Sequence, residues 1–263
     1  MRRSTCRPPR DVATGRACPA ASRSRPVRVP WQAERVKRLL ALAVVLALGL
    51  VAGCGGGSAA EKKARSLSPS QRLAAAQKYL DDAKAVTIAL STPKLPKGTQ
   101  GILKATGVGT KAPAFEGKIS VVQSGLSVEV PVIAVDGDTY IKFGGSYQKI
   151  DPDDFGAPDP ASLFTAGGGL SSVLSGVKDL KKGKDTREGK QVLSTLTGRV
   201  AGSKVGAIIP SAENQDFDAT FTLDSTNHLV TAKIKGPFYP GADDVTYTVG
   251  FSRYGKTVKI TKP

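Results

Sequence analysis

The chain has 263 residues, 38 Lys/Arg against 22 Asp/Glu, a formal net charge of +16, one histidine and three cysteines. One histidine excludes a multi-histidine metal site, and the +16 loses its nucleic-acid meaning when divided. Residues 1–38 hold eleven Lys/Arg against Asp11 and Glu34, while the remainder holds 27 basic and 20 acidic side chains, an ordinary basic domain helped at most onto an anionic membrane surface.

Residues 1–35 carry nine arginines, Trp31, Cys6 and Cys18 without apolar periodicity. They read as an untranslated or disordered basic extension, with a compact signal beginning at Val36. Lys37 and Arg38 precede an apolar run from Leu39 to Ala52. At 14 residues this run is short for a membrane-crossing helix, which takes about 20. Charge, apolar core and small residues in that order are a secretory signal, here residues 36–53. The run ends in "VAGC". A cysteine directly after Val-Ala-Gly is the lipobox pattern, in which the thiol takes a diacylglyceryl group and the signal is cut before it. Cys54 is therefore the expected lipidation site, and the protein is expected on the extracytoplasmic face of the cell membrane, held by its N-terminal lipid. The mature chain then has no free thiol, so no disulfide framework and no Cys-His nucleophile.

Residues 54–67 read as a flexible polar tether, and residues 68–263 as a single domain large enough for a core. Ser68-Pro69-Ser70-Gln71 is a capping box with proline at the first helical position. Leu73, Ala76, Leu80 and Ala83 continue one helical face to about Lys84. The period then changes to two. Strands are expected over Val86–Leu90, Ile102–Val108, Phe115–Gln123, Leu126–Val135, Thr139–Phe143 and Tyr147–Ile150, with tight turns at Ser124-Gly125, Asp136-Gly137 and Gly144-Gly145. "DPDDFGAPDPASLF" interrupts the meander. A short helix from Asp159-Pro160 through Leu163 and Phe164 and a second over Leu170, Val173, Leu174 and Val177 follow. Strands resume over Leu180–Thr186 and Gln191–Arg199. A short helix bears Val205, Ile208 and Ile209 and stops at Pro210. Strands Asp216–Leu223, Leu229–Lys235, Val245–Arg253 and Lys256–Thr261 close the chain. The sum is an antiparallel sheet with a few helices, hence α+β.

The chemistry is sparse. His228 reads as an exposed turn residue beside Asn227. Gly107-Val108-Gly109-Thr110-Lys111-Ala112 matches a loose dinucleotide fingerprint, but Pro113 stands where a helix should run. Asp151, Asp153 and Asp154 lack calcium-loop spacing and read as turn residues. No cofactor and no enzymatic activity are expected.

The order of elements, with "VDGDTYIKFGGSYQKIDP", "DPASLFTAGGGLSSVLSGVKDLKKGKDTREGKQVLSTLTGRV" and a terminal "FSRYGKTVKITKP", resembles the mycobacterial lipoprotein family of LppX, LprA, LprF and LprG over about residues 54–263. The resemblance implies a strongly bent antiparallel β-sheet, a half-barrel, with short helices covering its open, apolar face. It implies an apolar cavity that holds an acylated lipid or glycolipid for carriage within the cell envelope, no catalytic residues, and no nucleic-acid partner. A membrane lipid transporter is the candidate protein partner. The competing reading is an envelope docking or signalling lipoprotein without transported ligand. The expected cavity lining is Phe115, Ile119, Val121, Val128, Val130 and Val132 on the strands, with Leu163, Phe164, Leu170, Val173, Leu174 and Ile208 on the helices. Glu129 is costly to bury unpaired, so its strand should turn the parity of Leu126, Val128, Val130, Val132 and Ala134 inward.

Overall fold

The structure is a computed structural model that describes residues 58–212 and 214–263. The signal segment, residues 1–35 and Cys54 lie outside the described residues.

Two capped helices begin the described chain. Helix α1, Ala59–Ser66, carries a full capping box between Ser58 and Glu61. Helix α2, Pro69–Asp82, carries another between Ser68 and Gln71, with proline in its first turn. Each box satisfies two orphan donors of the first turn. The first helix corrects the flexible-tether expectation for residues 59–66. It buries Ala64, accepts a 2.7 Å hydrogen bond from Ser225 Oγ on Glu61, and accepts another from Asn227 Nδ2 on the Ala64 carbonyl, at 3.5 Å.

Twelve strands follow: β1 Ala85–Ser91, β2 Gly101–Thr110, β3 Ala114–Gln123, β4 Leu126–Val135, β5 Asp138–Phe143, β6 Ser146–Ile150, β7 Lys178–Lys182, β8 Thr186–Glu188, β9 Gln191–Ala201, β10 Asp216–Leu223, β11 Leu229–Gly236 and β12 Val245–Ser252. They form one antiparallel sheet in the order β6-β5-β4-β3-β2-β1-β12-β11-β10-β9-β7, with β8 beside β9. The sheet does not close. It curls about its inner face, so that side chains of β1, β3 and β4 share one core with those of β9 to β12. The three expected tight turns are present. Ser124 and Gly125 have φ of 52° and 79°, Asp136 and Gly137 54° and 76°, and Gly144 and Gly145 60° and 96°. Two successive positive φ values match the twist of the flanking strands.

Between β6 and β7 the chain makes 3-10 turns at Pro152–Phe155 and Ser162–Phe164 and one helical turn, α3, at Gly169–Ser172. Asp151 caps the first of these through the Asp153 N–H, at 3.0 Å. Helix α4 is Gly202–Val205.

Two strand expectations fail. Leu180–Thr186 is split into β7 and β8: Gly183 still donates to the Thr195 carbonyl at 2.8 Å in the β7 register, and the pairing with β9 then shifts by one residue before Thr186 meets Leu193. Lys256–Thr261 is no strand. β12 is already paired on both sides, by β1 and β11, so a returning segment has no ladder to join. The tail instead crosses the outer face. Ile260 packs against a small second core of Ala114, Ile133 and Val135, and Lys262 reaches Asp138 at 2.7 Å.

Candidate ligand-binding face

Strand registers place the inner face residue by residue, since directly paired residues project to the same side. One row runs Phe251, Ile88, Gly107, Gly117, Val132, Ile141 across β12, β1, β2, β3, β4 and β5. The next runs Val86, Gly109, Phe115, Ala134, and a third Leu90, Ala105, Ile119, Val130. The face is apolar along these rows up to Thr139 on β5, which pairs with Ala134, and where β2 meets β3 it has a floor of three glycines.

Aromatic rings occupy that floor. A Cβ on Gly107 or Gly117 would stand 2.6 or 2.7 Å from the Phe115 ring, and one on Gly109 would stand 2.2 Å from the Phe164 ring. Only hydrogen fits at such distances, so the glycines are seats for the two rings. The rings stack with centroids 5.9 Å apart and planes at 12°. The Gly-x-Gly of the loose fingerprint is therefore part of an apolar floor on a strand.

The segment from Pro152 to Val177 covers this end of the face. Its Ala161, Leu170, Val173 and Leu174 are buried, while Leu163 and Phe164 are half-buried. It is tied to α2 by the Gly167 N–H, which donates to Asp81 Oδ1 at 2.9 Å. It is tied to β5 by a 3.4 Å bond from Thr139 Oγ1 to Asp159 Oδ1. Under it lies a recess of about 10 Å³, lined by Leu80, Val86, Gly109, Phe164 and Leu170, with Asp81 and Lys111 beside them. That volume holds about one water molecule.

The expected lining residues divide accordingly. Phe115, Val132, Leu170, Val173 and Leu174 are buried in the main core, and Ile119, Val130, Leu163, Phe164 and Ile208 pack against it half-buried. Leu163, Phe164 and Leu170 also border the recess. Val121 is half-buried, and Val128 is 44% exposed near the tip of its hairpin. The expected parity of β4 holds from Val130 to Ala134, while Ile133 and Val135 serve the outer core under the tail. Leu80, Val86 and Gly109 were not among the expected lining. The readable signal for Gly109 is its spacing of two from Gly107, which puts both glycines on one side of a strand.

Polar groups are few and lie at the margin. Arg72 on α2 is 5% exposed. Its Nε donates to Asn227 Oδ1 at 2.7 Å, its Nη2 has no partner, and burial lowers its pKa. His228 is not an exposed turn residue: its Nδ1 lies 2.8 Å from Thr226 Oγ1 and 3.1 Å from Asp224 Oδ2, and its ring packs between Tyr79 and Tyr254. Tyr239 and Tyr247 share a 2.8 Å hydroxyl bond, and Tyr247 donates to the Ile102 carbonyl. Burial pushes the Tyr247 phenol far above its ordinary pKa. Among the described residues, no group of three His, Cys, Asp or Glu side chains could hold a metal ion. No helix among them is long and apolar enough to cross a membrane.

Three comparisons bear on this architecture. The family model of the LppX_LprAFG lipoproteins matches residues 68–260. The lipoarabinomannan carrier protein LprG of Mycolicibacterium hassiacum is 31% identical over 165 residues, covering 59% of this chain and 66% of that protein, just under two thirds of its length. LprF from Mycobacterium bovis superposes with a TM-score of 0.64 at 18% identity, over 74% of this chain and 96% of that one. Mycobacterium tuberculosis LppX does so at 0.54 and 17% identity, over 73% and 98%. These two likenesses establish a shared fold, and with the family match over most of the folded domain, the chain belongs to the LppX_LprAFG lipoprotein family.

Proposed function

We propose that this protein is a membrane-anchored lipoprotein that binds an acylated lipid or glycolipid against the inner face of its sheet and carries it within the cell envelope. The observation that carries this reading is the glycine floor. The Phe115 ring of the sheet lies over Gly107 and Gly117, and the remaining room, over Gly109, is filled by Phe164 from a cover segment of short turns. For an acyl chain to replace the Phe164 ring, the cover lifts. Gly156, Gly167, Gly169 and Gly176, all at positive φ, are its pivots.

The energetics suit a carrier. Each buried CH₂ is worth about 0.8 kcal/mol, and an apolar protein face replaces bilayer contacts at similar energy, so loading and release are nearly balanced. The lipid on Cys54 keeps the carrier at one membrane. The printed name of the M. hassiacum relative, a lipoarabinomannan carrier, supports a glycolipid as cargo. No reaction is assigned to the site, and a membrane lipid transporter is the partner class that loading or unloading calls for.

The close packing beneath the cover favours one alternative, a docking lipoprotein with a filled core. Native mass spectrometry of protein purified from its own envelope separates the two. A carrier retains acyl lipid and exchanges it for added labelled lipid. Protein that is lipid-free and takes up none would overturn the carrier reading.

A further inference from the structure

The inner face does not end where the core ends. Val130 and Val132 on β4 and Ile141 on β5 pack on the main core. Continuing each strand by steps of two, on the same side, leads to Val128, Leu126 and Phe143. These three are 44%, 71% and 64% exposed. They stand at the tips of two neighbouring hairpins, Ser124-Gly125 and Gly144-Gly145. Neither turn needs an apolar neighbour, because glycine and serine satisfy both. Pairing of β3 with β4 runs to Gln123 and Leu126, beyond the last β2 partner of β3, Val122. β5 pairs with β4 only as far as Ile141 and Val132. The apolar strip therefore projects past the sheet, continuous with the face that would hold a lipid. An exposed apolar patch of this kind marks an interaction site.

Charge selects the partner. Lys94 and Lys97 are exposed on the connection that enters β2 from the same end, and Lys142 is exposed beside Phe143. None of the three forms an ion pair among the described residues. The carboxylate of this region, Glu129, is engaged by Lys118 at 3.2 Å. Asp243 and Asp244 are exposed on the β11–β12 connection at the same end of the sheet, separated from the two hairpins by β1 and β2. Apolar side chains flanked by lysines match a bilayer with anionic headgroups: the apolar groups enter the acyl boundary and the ammonium groups stay at the phosphate level. Helix α1 docks at the other end of the strands. The ladders carry the β10–β11 turn, where Ser225 and Asn227 hold it, to the row of Ile133 and Tyr140. Leu126 lies seven residues further along β4, about 23 Å at the rise of a strand.

We infer that the tips of the β3–β4 and β5–β6 hairpins, through Leu126, Val128 and Phe143, insert into an anionic lipid surface and form the mouth by which lipid reaches the inner face. The mouth assignment rests on the carrier reading above; the membrane contact is measured separately from it.

The chain has one tryptophan, Trp31, which lies ahead of the expected cleavage before Cys54, so an indole placed by mutation reports alone in the mature protein. Mature protein with Leu126→Trp is mixed with vesicles of phosphatidylcholine or phosphatidylcholine with phosphatidylglycerol, each containing brominated lipid. A companion carries Lys111→Trp, at the opposite end of the sheet. The expected result is a blue shift and quenching several-fold stronger at the Leu126→Trp site than at the Lys111→Trp site, present with phosphatidylglycerol and weakened by high salt. Adding Phe143→Glu abolishes the quenching and slows uptake of labelled lipid from the vesicles several-fold. No quenching at the Leu126→Trp site, or equal quenching at both sites, would overturn the inference. Quenching by protein that never holds lipid would sustain the membrane contact and refute the carrier reading.

Discussion

Gly109→Ala tests whether the glycine floor is a seat for the cover. The new Cβ would stand 2.2–2.3 Å from Cδ1, Cε1 and Cγ of Phe164, more than 1 Å inside ordinary contact. These atoms include the root of the ring, so a rotation of its far edge gives no relief. Gly109 lies on a strand and has no positive φ, so alanine brings no backbone strain. Elsewhere such a change would stabilise by about 0.4–1 kcal/mol through the unfolded chain. Here overpacking costs about 1–3 kcal/mol, lowering Tm by roughly 2–4 °C per kcal/mol for a domain of this size. Phe164→Ala alone removes a half-buried ring, at about half of the roughly 3–5 kcal/mol seen for a fully buried one. The decisive quantity is the coupling in a double-mutant cycle followed by urea unfolding. With Phe164→Ala in place, Gly109→Ala should become neutral or mildly stabilising. Equal cost of Gly109→Ala in both backgrounds would show that Phe164 does not sit on this glycine.

Three further outcomes are expected. Cys54→Ala should leave an uncut precursor without lipid, and intact-mass analysis showing normal maturation would refute the lipobox assignment. Asn227→Gly keeps the left-handed turn at φ 70° but strips the buried Arg72 Nε of its acceptor, which should cost about 1–3 kcal/mol in urea unfolding. Arg72→Met removes the unpartnered Nη2 as well and should cost less; the reverse order would contradict the burial argument. Hydrogen bonds from Lys149, then Lys262, hold the Asp138 carboxyl far below the usual carboxylate range. A depressed folded pKa contributes stability that is fully present above the unfolded value of about 3.9 and is lost as pH falls through the folded one. The tail should therefore stay docked down to strongly acid pH, whereas Asp138→Asn should move the Ile260 methyl signals toward their free positions at neutral pH. Unchanged Ile260 signals in that variant would remove Asp138 from the tail's anchorage.

Local rules made much of this protein legible from its residues. The α2 capping box, the paired positive-φ turns and the alternation of β4 and β10 each depend on neighbours a few positions apart. Strand boundaries there came out within a residue or two. The same holds for the inward parity around Val132, since one buried carboxylate would be too costly on the other register. Other features depend on groups brought together from far along the chain. Ala59–Ser66 is a weakly apolar, charged segment that by composition reads as a tether. It has a place on the domain because Ser225 and Asn227, more than 160 residues away, meet its side chain and carbonyl. His228 looks like a solvent residue until Tyr79 and Tyr254 enclose it.

The period-two pattern determined the class of the molecule: an antiparallel sheet with one apolar face. Tertiary structure decided which segment fills that face. Lys256–Thr261 alternates like a strand, yet pairing is a property of free edges, and both edges of β12 are taken. Gly107 and Gly109 match a loose phosphate-loop spacing that Pro113 argues against, and as strand residues they look merely weak. Only the arrival of Phe115 from the next strand and Phe164 from a turn some 55 residues later shows that the missing side chains make room for rings. A glycine's meaning lies in what approaches it, and that is decided by packing between distant segments.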